Sequence, residues 1–198
     1  MGLYPYNPNF PHRLQTDVPG LTVDRGQLAI LEWSAVQATA VSAVNILAAT
    51  TLADGETTTV TSNLGAPPCP RNLSIKGNAA GITGNITITG TDIAGEEISE
   101  VIAANGSSSV EGNLAFATVT EVVLPARNAE NDTISVGYGN KLGLPYKLTR
   151  NTVQWAFRDG TRESTNPTVT VDDGDLAGNT VKLNSALNGT VIHVHLHV

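Results

Sequence analysis

One cysteine, one methionine and nine aromatic residues (two Trp, four Tyr, three Phe) are all that this 198-residue chain carries. A single cysteine excludes an internal disulfide framework and any zinc site built from several cysteines of one chain. Basic residues are also scarce: eleven Lys and Arg stand against eighteen Asp and Glu, a formal charge of -7. That excludes the basic footprint of a nucleic-acid binder. Only 15% of residues are charged while 40% are hydrophobic, so the chain is not a solvated disordered tail. No apolar run approaches the roughly 18 residues that span a bilayer, and no membrane partner is expected. Met1 is followed by Pro5, Asn7, Pro8 and Pro11 rather than by a basic and then an apolar region, so synthesis in a cytoplasm is expected.

Catalytic signatures are missing as well. There is no G-x-S-x-G elbow, no P-loop and no G-x-G-x-x-G. The nearest run, Gly137-Tyr138-Gly139-Asn140-Lys141-Leu142-Gly143, has its third glycine one place late and reads as a turn between strands. Neither an enzyme nor a bound cofactor is expected.

What is abundant points to strands and tight turns. Twenty-four Thr and nineteen Val are set among nineteen Gly. The clearest unit is Asn85 to Asp92, then Ile93-Ala94-Gly95, then Glu96 to Ala103: two alternating runs flanking a glycine-bearing turn, which predicts a β-hairpin with Ile86, Ile88 and Ile98 facing inward. Further strands are predicted at Thr57 to Thr61, Arg71 to Lys76, Leu114 to Leu124 and Thr133 to Tyr138. Lys141 to Leu148 reads as an apolar loop or edge strand, since Pro145 bars a central position. The spacing predicts an all-β fold, an antiparallel β-sandwich of immunoglobulin-like or barrel-like form.

Three segments are expected: an extended N-terminal arm over 1–27, a main β-sandwich domain over 28–148 and a small C-terminal β unit over 149–198. Four prolines interrupt the arm, yet Leu3, Tyr4, Tyr6, Phe10, Leu14, Val18 and Leu21 run through it. A flexible linker lacks aromatics, so these residues are expected to dock on a neighbouring subunit, with packing on the arm's own domain as the alternative. Residues 28–44 are expected to hold a short helix or irregular piece, followed by a strand near 43–49. The C-terminal unit is expected to carry strands at Val153 to Phe157, Thr168 to Val171, Thr180 to Leu183 and Thr190 to Val198, with Asn188-Gly189 favouring a type I′ turn between the last two.

Several residues carry chemistry without company. Cys69 lies between Pro68 and Pro70 with only Arg71 nearby, and reads as an inert structural thiol. Glu96, Glu97 and Glu100 read as the solvent face of a strand. Asp172-Asp173-Gly174-Asp175 reads as an acidic turn, with a weak calcium site as the alternative. His193, His195 and His197 alternate, which places all three on one strand face. They are read first as an exposed polar face. The alternatives are a metal site where three chains meet and a pH-sensitive subunit contact.

The runs Pro70-Arg71-Asn72-Leu73-Ser74-Ile75-Lys76-Gly77 and Gly84-Asn85-Ile86-Thr87-Ile88-Thr89-Gly90-Thr91-Asp92, then Gly95 and Glu100, then Lys141-Leu142-Gly143-Leu144-Pro145, resemble structural proteins of tailed-bacteriophage virions. The resemblance spans about 80 residues and brings no catalytic residues with it. It implies a virion structural protein. The expectation drawn from it is a capsid decoration (cement) protein on the outer capsid surface, a homotrimer whose partners are the major capsid protein and neighbouring copies of itself. The alternatives are a tail, baseplate or head-fibre protein and, further off, a carbohydrate-binding module resting on Trp33 and Trp155.

Overall fold

The structure, a computed structural model, describes residues 13–15, 17–19, 22–24 and 27–198. Among these residues there is no helix; sixteen antiparallel strands lie in four sheets. The expected all-β antiparallel sandwich is what the chain forms.

The predicted hairpin is β7 (Asn85–Thr91) and β8 (Glu97–Ala103), paired without a register shift from Asn85 opposite Ala103 to Thr91 opposite Glu97. Asp92 closes the turn. Its carboxylate accepts from the Ala94 and Glu96 backbone N–H groups at 2.8 and 3.0 Å, and Gly95 takes the left-handed φ of 84° that the turn demands. Alternation then sends Ile86, Ile88, Ile98 and Ile102 inward. β10 (Thr118–Leu124) and the short β5 (Thr58–Val60) complete a four-stranded sheet in the order β5-β10-β7-β8.

The facing sheet is organised by one long strand, β11 (Thr133–Gly143). On one side it pairs with β6 (Arg71–Gly77), beyond which lies β9 (Val110–Phe116). On the other side it pairs first with β4 (Ser42–Thr51) and then, from Lys141, with β15 (Thr180–Lys182), which carries β14 (Thr168–Thr170) on its edge. The last sheet is β13 (Thr161–Arg162), β12 (Val153–Arg158), β16 (Ile192–His197) and β3 (Leu28–Trp33), in that order.

β11 therefore serves two cores. Its first half, with Ile134 and Val136, packs with Leu73, Ile75 and Phe116 against Ile86, Ile88, Val122 and Leu124 of the four-stranded sheet. Its end, with Leu142 and then Leu144, packs with Val181 against Trp33, Ala156, Ile192, Val194 and Leu196. Arg71 sits where the two halves meet. It is fully buried opposite Leu142, just past the point where the β6–β11 register shifts. It donates to the Thr39 carbonyl at 2.9 Å and to the Gly139 carbonyl, with its guanidinium 4.6 Å above the Tyr138 ring. Burial pushes its pKa below the usual value.

Four expectations are corrected. Residues 28–44 hold no helix: β3 is a strand beside β16, and its pattern sends Trp33 inward while Leu28 and Ile30 face out. The helical signal was the apolar spacing of Leu28, Ile30, Leu31, Trp33 and Val36; after β3 the chain makes a single turn, where the Ser34 and Gln37 side chains cap each other's backbone N–H groups at 3.4 and 2.9 Å. The run Leu114 to Leu124 is two strands. At Ala117 the chain leaves β9 and crosses to β10 in the opposite sheet. Lys141 to Gly143 is no edge: it is the end of β11, flanked by β15 on one side and β6 on the other, and Pro145 falls after it. Asn188-Gly189 makes no type I′ hairpin: only Gly189 has positive φ, and β16 pairs with β3 and β12, not with β15.

Within the arm, β1 (Arg13–Gln15) and β2 (Thr22–Asp24) form a hairpin with Leu14 opposite Val23. Val18 lies in its exposed connection. Leu3, Tyr4, Tyr6, Phe10 and Leu21 lie outside the described residues. β3, from the segment after the arm, shares a sheet with β16, and β15 shares one with β11, so pairing crosses position 148 in both directions.

Candidate interaction site

The outer face of the C-terminal sheet gathers the side chains that the sequence left without a role. Along β16, Ile192, Val194 and Leu196 are fully buried, and alternation turns His193, His195 and His197 the other way. Each histidine has a neighbour opposite on β3: Glu32, Ile30 and Leu28 respectively. On the other side, β12 sets Trp155 opposite His195 and Phe157 opposite His193. A register shift between Val153 and Trp155 lets Val153 reach the core while Trp155 faces out.

The face is apolar and aromatic at its centre. Leu28 is 51% exposed, Ile30 57% and Trp155 38%. The His195 ring lies 4.9 Å from that of Phe157 and meets Trp155 edge-on at 6.3 Å. The Arg162 guanidinium sits 5.4 Å over the indole of Trp155. At one margin of the face His193 Nε2 lies 3.2 Å from Glu32. Histidines 193, 195 and 197 thus belong to a mixed face. Among the described residues no group of three His, Cys, Asp or Glu side chains is placed to hold a metal ion.

No protein-family model, curated protein or solved structure matches the chain.

The other candidate residues are occupied structurally. Cys69 is buried, and burial pushes its thiol up to about 11, partly offset by Arg71. At neutral pH it is a thiol, not a nucleophilic thiolate. The Asp172 carboxylate accepts from the Gly174 and Asp175 N–H groups at 2.9 and 3.0 Å, and that of Asp175 accepts from Ala177 at 2.9 Å. Glu96 and Glu97 are exposed, as expected. Glu100 is not: it lies on the inward face of the edge strand β8, and its carboxylate accepts from the Asn113 and Leu114 N–H groups of β9 at 2.6 and 3.4 Å. It thus joins the two sheets where no strand pairing does. Burial raises its pKa, against the lowering pull of those two N–H groups and Lys141. The sequence signal for this role was present, since Glu100 stands opposite Ile88 in the hairpin register.

Beside the face, the β12–β13 turn borders an open cleft of about 470 Å³ lined by Arg158, Arg162, Glu163, Ser185 and Asn188, among others. Arg158 is tied down there, donating to the Ala186 carbonyl at 3.1 Å and lying 3.9 Å from Glu163.

Proposed function

We propose that this chain is a structural protein of a tailed-bacteriophage virion, a capsid decoration (cement) protein that binds the outer surface of the head and stabilises it. Its partners are the major capsid protein and neighbouring copies of itself in a homotrimer. One observation carries the reading: Leu28, Ile30, Trp155 and Phe157 stand together on the outer face of a sheet. Exposed apolar side chains gathered on one rigid face mark contact with another macromolecule. Strands hold them in place before contact, so little ordering entropy is lost on binding.

Two further features support it. The segment from Pro70 to Pro145 resembles virion β-domains, and a net charge of -7 suits a surface turned away from the packaged genome. A tail, baseplate or head-fibre role is the second reading, favoured by the cleft next to Trp155, which would suit a receptor contact. A carbohydrate-binding module draws less support, because Trp33 is buried and Arg162 already covers the ring of Trp155.

The test is reconstitution. Purified protein is added to heads that lack decoration, and bound protein and the melting temperature of the shell are measured. The proposal expects saturable binding and a raised melting temperature, with both reduced in Trp155→Ala. Binding to isolated tails but not to heads would favour the second reading instead.

A further inference from the structure

An edge strand presents a row of unpaired N–H and C=O groups to any strand that comes alongside, and folds blunt such edges by brevity, charge, bulges or cover. Among the described residues, the edges of this fold are blunted in those ways with one exception. β1, β2, β5, β13 and β14 have two or three residues each. β8 carries Glu97 and Glu100. β9 gives its Asn113 and Leu114 N–H groups to Glu100 and its Ala115 N–H to the Ala177 carbonyl. β4 meets β11 through two register shifts, and its Ile46 carbonyl accepts from the Gly65 N–H. The exception is β3. It has six residues, no proline or glycine, one charge, and an unbroken register against β16. That register shows which backbone groups are free. Gln27 and Val198 exchange both backbone hydrogen bonds, at 2.9 Å each. Antiparallel pairing alternates, so Ala29, Leu31 and Trp33 bond to β16, while Leu28, Ile30 and Glu32 turn their N–H and C=O groups to the open edge. Among the described residues no backbone group bonds to them there.

We propose that β3 pairs along this edge with β3 of a second copy of the chain, antiparallel and centred on Ile30, across a twofold axis. The strand is its own complement. With Ile30 opposite the partner's Ile30, Leu28 falls opposite the partner's Glu32, and Glu32 opposite the partner's Leu28. These are hydrogen-bonded positions, so each pair exchanges both backbone bonds and every free group of the edge is satisfied. The one charge of β3 lands beside an apolar residue. Sliding to the next allowed register leaves either Leu28 or Glu32 without a partner in the strand, and the register that opposes Glu32 to Glu32 sets like charges together. Inward, Ala29 meets the partner's Leu31, a small side chain against a large one. This match of charge and bonding pattern within one strand selects a second copy as the occupant. Pairing runs along the edge and joins the two C-terminal sheets into one, so the outer face around Trp155 keeps its side chains free for the contacts proposed above. A homotrimer is held by threefold contacts, whereas an isologous pair is twofold. β3 therefore ties one trimer to the next. Such pairing needs no virion role, and it is tested without capsids.

Disulfide trapping in the full-length protein reads the register. Directly opposed residues lie about 5.5 Å apart at Cα, inside the span of about 4.4–6.8 Å that a disulfide bridges. Ile30→Cys is expected to crosslink to itself under mild oxidation. Leu28→Cys and Glu32→Cys are each expected to stay uncrosslinked alone, because their like positions are roughly 14 Å apart, and to crosslink when mixed. The native Cys69 is buried and does not compete. Charge substitution reads the strength. Ile30→Lys and Ile30→Glu each oppose like charges at the axis, and Ile30 is exposed, so the fold is expected to persist by circular dichroism. Each is expected to associate at least about tenfold more weakly, its mass in sedimentation falling toward half the wild-type value. Mixing the two opposes unlike charges and is expected to restore the wild-type mass. Trp155→Ala changes the face and leaves the edge, and is expected to pair like wild type. A wild type of the same mass as Ile30→Lys, a mixture that stays at the lower mass, Leu28→Cys crosslinking to itself, Ile30→Cys failing to, or loss of pairing in Trp155→Ala would each overturn the proposal. Failure to bind heads with the β3 pair intact would instead overturn the cement reading alone.

Discussion

Replacing Ile88 with Ala tests whether β11 couples the two cores. Ile88 is fully buried in the first cluster, on β7, a strand flanked on both sides by β10 and β8. The substitution deletes three carbons that pack against both sheets. Lost transfer alone is about 2.4 kcal/mol at about 0.8 kcal/mol per methylene. The residual cavity brings the cost into the range of about 2–5 kcal/mol seen for such truncations. For a chain of this size each kcal/mol lowers the melting temperature by roughly 2–4 °C, so a cost near 3 kcal/mol gives a drop of about 6–12 °C. The assay follows from where the tryptophans lie. Trp33 and Trp155 both belong to the C-terminal sheet, and Ile88 to a different sheet and core cluster. Tryptophan fluorescence therefore reports the second core, while far-UV circular dichroism reports the whole chain. Because β11 lines both clusters, both probes are expected to shift together by the same amount. A fluorescence transition that stays put while the dichroism shifts would refute the coupling. As a control, Val101→Ala on the outward face of β8, 59% exposed, is expected to cost within about 0.5 kcal/mol. An equal cost for Ile88 and Val101 would mean that the hairpin faces are misassigned.

Three further outcomes are expected. Glu100→Gln removes a carboxyl whose folded pKa is raised by burial. Such a group favours folding most below its unfolded pKa and loses that contribution as pH rises through the folded value. The stability of wild type relative to Glu100→Gln is thus expected to improve as pH falls through the acid range; an unchanged difference in denaturant titrations at pH 4 and 7 would contradict this. Gly137→Ala is expected to block folding or cost several kcal/mol, because a Cβ there runs into the Ser42 carbonyl oxygen on the paired β4; soluble expression with an unchanged melting temperature would show that β4 can shift. Cys69, with its thiol pushed up to about 11, is expected to resist a disulfide reagent at pH 8 until denaturant is added, and rapid native labelling would contradict its burial.

Local chemistry made part of the fold legible. The Asp92 turn and the alternating isoleucines define the β7–β8 hairpin without outside help, and the alternation of His193, His195 and His197 tells which side of β16 is buried. What stayed hidden was the choice of partner strand. Nothing in Leu28 to Trp33 says that it will pair with residues 192–197, more than 150 positions later, and the spacing of Leu28, Ile30, Leu31, Trp33 and Val36 fits a helix face as well. The break at Ala117 is equally silent, because apolar alternation continues while the chain changes sheets. The interaction face was half visible. The histidines were picked out, but their neighbours Ile30, Trp155 and Phe157 come from two other strands and are brought together only by register.

Electron cryomicroscopy of intact virions, with this chain marked by a bound antibody fragment, tests the central claim most directly. Label is expected at symmetric positions on the outside of the head lattice, as threefold clusters with the Trp155 face turned toward a neighbouring molecule. Label confined to the tail, the baseplate or a fibre, or absent from the virion, would contradict it.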